Sequence, residues 1–325
     1  MKKYLAATGA AALLALSLTA CGSSDDSADG AKKITFGYIG DFNGTSLLAI
    51  ADKQGLWKKE GLDVDTKVFT DGPTQIQALG AGDLDYGYIG PGAIWLPASG
   101  KAKIIAVDTL GGADRVIAQP GITSMADLKG KKIGVPEGTS GDMILGLALK
   151  KAGMTKDDVQ IVPMDASTIV TAFDTGKIDA AGIYYPTIDT IKQKVPDLVE
   201  LAQDSDFKDD FGFPTAFVSQ EDPDEATTAK VDKVLREAMD YRAAHTDDAI
   251  ADTADMLKLP VDTVKADASH DQLLTSSQLD TMTQNGTVNT WLTALQGFFK
   301  DAGQLTSTAD PSTFYLGDDF VAAGK

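Results

Sequence analysis

Cysteine is almost missing from this chain. Cys21 is the only one, so no disulfide forms within the molecule and a hydrophobic core has to hold the fold. Histidine occurs only as His245 and His270, and neither stands in a metal-ligand spacing such as His-Glu-x-x-His. Arginine is nearly as scarce, limited to Arg115, Arg236 and Arg242. A formal net charge of −18, with no basic cluster interleaved with aromatics, argues against nucleic acid as a partner. Motifs of turnover are lacking too. The glycines at 37, 40 and 44 miss the Gly-x-Gly-x-x-Gly spacing, no Gly-x-Ser-x-Gly elbow surrounds Ser140, and no Walker motif is present. The expectation is a binding protein, not an enzyme, working without cofactor or metal.

The apolar run from Leu5 to Leu18 is shorter than the roughly 20 residues a spanning helix needs. It follows Lys2 and Lys3 and ends in Leu18-Thr19-Ala20-Cys21, which resembles a bacterial lipoprotein signal. In that reading residues 1–20 are removed, Cys21 carries lipid, and residues 21–32, rich in Gly, Ser, Asp and Ala, form a flexible tether. The mature protein is then expected outside the cell, anchored to the membrane. Losing Lys2 and Lys3 leaves 27 basic against 47 acidic residues, an acidity that serves solubility.

The remaining chain is long enough for two domains, and a weak repeat points the same way. Residues 74–91 (TQIQALGAGDLDYGYIGP) resemble residues 168–186 (TIVTAFDTGKIDAAGIYYP): a short amphipathic helix, a glycine at its end (Gly82, Gly176), then a small-residue strand. Strands are expected at 34–39, 62–69, 84–89 and 103–109, and again at 132–135, 159–163 and 180–184, with helices between them. Such alternation predicts open, mainly parallel sheets covered on both faces. From Asp222 onward the pattern is helical and polar, and these helices are expected to pack on the first lobe. Two extended pieces, 113–119 and 213–220, bracket the second unit and are expected to cross between lobes as a two-strand hinge. The expected division is 33–115 with 219–325 for one lobe and 116–218 for the other.

Open α/β sheets bind ligands at the carboxyl ends of their strands. The loops there are Asp41-Phe42-Asn43-Gly44, Gly90-Pro91, and Gly138-Thr139-Ser140 at a helix start, where Ser140 is the expected N-cap and backbone N–H groups could meet an oxyanion. Plain helix capping is the alternative for that loop. Tyr184, Tyr185 and Phe213, with Phe42, are candidates to stack on an organic ligand, although aromatics at strand ends are as often core. Asp41, Glu137 and Asp142 flank these loops and Arg115 is the one nearby arginine. That balance disfavours a strongly anionic ligand and suits an amine-bearing one.

With these blocks in view, the chain is similar to solute-binding proteins of ABC importers in the nitrate, sulfonate, taurine and thiamine-pyrimidine group. The resemblance is carried by KQGLWKKEGLDV at 53–64, AGDLDYGYIG at 81–90, MADLKGKKIGVPEGTSG at 125–141 and residues 176–186. It implies a type 2 periplasmic-binding fold: two α/β lobes that close on a small solute, act as a monomer, and present it to a permease and its ATPase. A sulfonate- or taurine-like solute is favoured. Binding or synthesis of a thiamine-pyrimidine precursor, and a sensory binding module, remain as alternatives. One departure is Tyr184-Tyr185 before the proline, where the family often has Trp-Glu, and it leaves the ligand subclass open.

Overall fold

A computed structural model describes residues 30–325. The expected removal of residues 1–20, lipid on Cys21 and almost all of the tether lie outside the described residues. Among the described residues no helix is long and apolar enough to cross a membrane.

The chain first lays down β1 (Lys32–Ile39), α1 (Phe42–Lys53), α2 (Leu56–Lys59), β2 (Leu62–Phe69), α3 (Gly72–Ala81), β3 (Tyr86–Ile89), α4 (Trp95–Ala98) and β4 (Lys103–Leu110). It then builds β5 (Asp114–Ala118), β6 (Lys132–Val135), α5 (Ser140–Lys151), β7 (Gln160–Pro163), α6 (Ala166–Asp174), β8 (Ala180–Tyr184), α7 (Thr187–Lys192) and β9 (Val199–Gln203). Last come β10 (Pro214–Ser219), α8 (Glu225–Ala244), α9 (Thr246–Leu257), α10 (Val261–Ala268), β11 (Gln272–Leu273), α11 (Ser276–Gln284), α12 (Thr287–Asp301) and α13 (Gly317–Ala322). Two mixed sheets result, in the orders β11-β4-β10-β3-β1-β2 and β7-β6-β8-β5-β9.

The two repeat segments occupy matching places. Helix α3 is capped by Asp71 and α6 by Asp165, each accepting from a backbone N–H three residues on. Gly82 and Gly176 take left-handed φ values of 79° and 65° just past the helices, a conformation that costs any side-chain-bearing residue energy. The strands that follow, β3 and β8, run parallel to β1 and β6 near the middle of their sheets. Buried on both faces, they read as continuous small and apolar runs.

The position of the two crossings, not their number, needs correction. The pieces at 113–119 and 213–220 are not linkers but sheet strands: β5 pairs antiparallel with β8 and β9, and β10 with β3 and β4. The actual passages are Gly111-Gly112-Ala113 and residues 204–213. Asp114 and Arg115 therefore hydrogen-bond into the second sheet, opposite Tyr184 and Ile183, while Pro214 to Val218 lie in the first. An extended linker and a buried strand carry the same apolar, β-branched composition, which is why the sequence does not separate them.

Helices α8, α9 and α10 pack against α1 and β4 on the first sheet's side. Their anchor is Arg242 of α8, fully buried, whose guanidinium meets the Asp108 carboxylate of β4 at 2.6 and 3.1 Å and the Ser46 hydroxyl of α1 at 2.9 Å. Phe42, at the start of α1, is wholly buried among Ile250, Ala254 and Val264 of α9 and α10.

Candidate functional site

A small cavity of about 60 Å³ lies between the carboxyl ends of the two sheets' strands. One wall comes from the first sheet and its late helices: Asp41, Asn43, Tyr88, Gly90, Thr215, Asp267 and Asp271. The other comes from the second: Asp114, Thr139, Ser140, Tyr184 and Tyr185. Its floor is tight, because the turn at 91–93 abuts the start of α5. A Cβ on Gly92 would stand 2.1 Å from the Thr139 carbonyl carbon and 2.2 Å from the Ser140 nitrogen, so only glycine permits the two halves to approach this closely. Beside this cavity a groove of about 670 Å³ runs outward, lined by Ile39, Val68, Phe69, Val170, Tyr184 and Leu259 among others.

Of the residues expected from the sequence, Asp41, Asn43, Gly90, Pro91, Thr139, Ser140, Tyr184 and Tyr185 line the cavity, and five do not. Phe42 is core. Gly44 packs against Tyr88 and the Ile39 carbonyl. Gly138 faces Trp95, whose indole N–H reaches its carbonyl. Phe213 is buried beside Phe211, with a left-handed φ of 49°. Arg115 turns away: its guanidinium donates to the Gly112 and Asp114 carbonyls at 2.7 Å and to Glu200 at 3.0 Å, and lies over the Tyr185 ring.

The start of α5 also departs from expectation. Thr139, not Ser140, holds the N-cap position, and its hydroxyl donates to the Pro136 carbonyl. The Ser140 hydroxyl instead faces the Asp114 carboxyl and pulls its pKa down against the larger rise from burial. The Gly138 N–H, which could have met an oxyanion, donates to Asp142 at 3.2 Å, and Lys156 neutralises that carboxylate at 2.5 Å. The protein's own acids thus occupy the helix start.

Acids missed in the sequence dominate the wall. Asp267 accepts from the Phe42 N–H at 2.7 Å, and Asp271 from the Gly112 N–H at 2.9 Å. Asp41 caps α1 by accepting from Gly44 at 2.6 Å. Burial, then the neighbouring Asp267, pushes the Asp41 carboxyl well above its usual range, against the pull of the Gly44 N–H. Burial likewise pushes Asp114 and Asp267 up to about 7 and Asp271 up to about 6. Asp114 lies in the second sheet and Asp271 beside the first, and the Asp271 charge adds to the rise of the Asp114 pKa. No motif marks Asp267 and Asp271. Asp267 sits near the end of α10 and Asp271 in the bend between α10 and β11.

Neither histidine lines the cavity: His270 stacks on Tyr185 at 4.1 Å and His245 is exposed near Asp248. The walls offer carboxyls, hydroxyls, an amide and aromatic rings, suited to holding a small polar organic molecule.

Comparison with known proteins agrees with this architecture. The family model described as NMT1/THI5 like matches residues 43–249. A Brucella abortus chain named only as a binding protein is 54% identical over 294 residues, covering 89% of this chain and 92% of its own. The taurine-binding periplasmic protein of Escherichia coli is 26% identical, covering 81% and 85%. Among solved structures, the alkanesulfonate-binding protein of Xanthomonas axonopodis pv. citri bound to MOPS superposes with a TM-score of 0.68 at 20% identity, covering 87% of this chain and 97% of that one. The fold is that of the periplasmic binding proteins, and the chain belongs to the NMT1/THI5-like family.

Proposed function

We propose that this protein is the extracytoplasmic, lipid-anchored substrate-binding component of an ABC importer, capturing a small organic solute between its two halves and handing it to a membrane permease. The observation that supports this most is a polar cavity walled by both sheets, with the Gly92 turn and the start of α5 in close contact at its floor. Ligand touching both walls binds the closed arrangement better than an open one, and closure follows from that difference in affinity. The relatives' names point to sulfonates and taurine. Of these, an amine-bearing solute such as taurine suits the wall better than a bare sulfonate, because Asp41, Asp114, Asp267 and Asp271 face the space.

Small-angle scattering on the purified mature chain tests the mechanism: saturating solute should shrink the radius of gyration, and an unchanged radius with proven binding would remove it. Ser140→Ala and Tyr184→Ala should each weaken the identified solute roughly 10-fold while leaving the melting temperature within a few degrees. Cys21→Ser should move the protein from the membrane fraction to the soluble one.

A further inference from the structure

The charge of the solute is addressed by the cavity wall, given the solute-binding reading above. Asp41, Asp71, Asp114, Asp267 and Asp271 line it, and among the described residues no lysine, arginine or histidine does. The guanidiniums that could balance them are engaged elsewhere: Arg115 with two backbone carbonyls and Glu200, Arg242 with Asp108 and Ser46. Asp41, Asp267 and Asp271 each accept one backbone N–H, from Gly44, Phe42 and Gly112.

An independent observation concerns Asp267. It is 4% exposed, lines the cavity, and accepts the Phe42 N–H through Oδ2, while among the described residues no donor meets its Oδ1. A buried carboxylate oxygen left bare is costly unless a ligand supplies a donor. The remaining wall includes the rings of Tyr88 and Tyr184, whose faces favour a cation. A sulfonate end brings no hydrogen to donate and adds like charge.

We propose that the solute enters this cavity through a nitrogen cation that carries hydrogens, a primary ammonium or an amidinium-type group, held by Asp41, Asp267 and Asp271 from one wall and Asp114 from the other. The raised carboxyl pKa values fit a wall that lacks its counter-charge. Size restricts the inner group. A volume of about 60 Å³ takes a head group equivalent to roughly four waters, and the rest of the solute lies in the adjoining groove, whose apolar side includes Val68, Phe69, Val170 and Leu259.

Calorimetry at pH 8 with butylamine, butylguanidine, choline and butanesulfonate tests this, alongside scattering on each mixture. Butylamine or butylguanidine should bind and compact the protein. Choline, which has no N–H, should bind at least 10-fold more weakly. Asp271→Asn and Asp41→Asn should each weaken the bound amine roughly 10- to 100-fold, as expected for losing a charged hydrogen bond. Butanesulfonate binding and compacting the protein, with neither amine doing so, overturns the inference while leaving the solute-binding reading intact. Choline matching butylamine also overturns it, because N–H donation to the carboxylates would then be irrelevant. Compaction with no probe at any concentration counts against both.

Discussion

Replacing Asp271 with asparagine isolates the energetic cost of an acidic binding wall. Burial raises the Asp271 carboxyl, the Gly112 N–H and the Asn43 amide pull it down, and the Asp108 charge and the Arg242 guanidinium behind it act in opposite directions; the balance leaves it at about 6 against an ordinary 3.8. The folded state therefore holds this proton more tightly than the unfolded chain does. Between pH 4 and 6 the native form binds more protons, so stability falls as pH rises through that window; the penalty is complete above pH 6 and absent below pH 4. Carrying the carboxyl from 3.8 to about 6 corresponds to about 3 kcal/mol in a dry site. Asp271 is only partly shielded and borders the cavity, so solvent screening reduces this to about 1–2 kcal/mol.

Asparagine is nearly isosteric and its Oδ1 still accepts from Gly112. The solute-free Asp271→Asn protein should thus be about 1–2 kcal/mol more stable than wild type at pH 8 and equal to it at pH 4, while binding its solute more weakly. Urea unfolding followed by the fluorescence of Trp57, Trp95 and Trp291, repeated from pH 4 to 8, measures this directly, with equal slopes confirming that the unfolded state is unchanged. A variant less stable than wild type at pH 8, or a gain of the same size at both ends of the range, would refute the reasoning.

Two other perturbations separate closure from folding. Gly92→Ala places a methyl 2.1 Å from the Thr139 backbone, so it should block approach of the halves: affinity drops by an order of magnitude or more, ligand-induced compaction disappears in scattering, and the melting temperature changes little. Arg242→Met strands the buried Asp108 carboxylate, which should cost about 3–5 kcal/mol in chemical unfolding. Adding Asp108→Leu to that variant should recover much of the loss, and failure to do so would mean that packing, not the orphaned charge, sets the cost.

The elements that the sequence makes legible are those whose chemistry is local. The 132–135 and 180–184 strands fall where expected because apolar runs end in turn residues, and the repeat at 74–91 and 168–186 identifies two matching helix–strand units by their glycine stops. Loops at strand ends pick out Asp41, Asn43, Gly90, Thr139, Ser140 and Tyr184 on the cavity wall. What fails is whatever depends on contacts far apart in sequence. Phe42 and Phe213 carry the same apolar surface whether they face ligand or core, and only the late helices, 200 or more residues beyond Phe42, decide that Phe42 is core. Arg115 looks like a ligand contact until the fold brings Glu200 beside it, 85 residues away. Asp267 and Asp271 sit in a polar tail among many solvated acids, and only the Phe42 and Gly112 amides, 225 and 159 residues distant, place them in the cavity.

Acids from both sheets also suggest how a solute closes the protein. Asp114 belongs to the second sheet, whereas Asp41, Asp267 and Asp271 stand on the first sheet's side, and the Asp271 charge raises the Asp114 pKa across the gap. Without a counter-charge, ionised carboxylates oppose closure, and the cheapest relief is either to take up protons or to part the walls. A cation between them removes that opposition and supplies donors to both sides at once, so its affinity for the closed form exceeds that for the open one. Moving an open-to-closed ratio from 99:1 to 1:99 takes about 5.5 kcal/mol of such preference, which two or three charged hydrogen bonds of about 1.5–3 kcal/mol each can provide. The same arithmetic makes a solute that reaches only one wall a poor trigger. An amine too short to touch Asp114, or an Asp114→Asn variant, should still bind the first wall while losing compaction, and full compaction in that variant would show that some other contact drives closure.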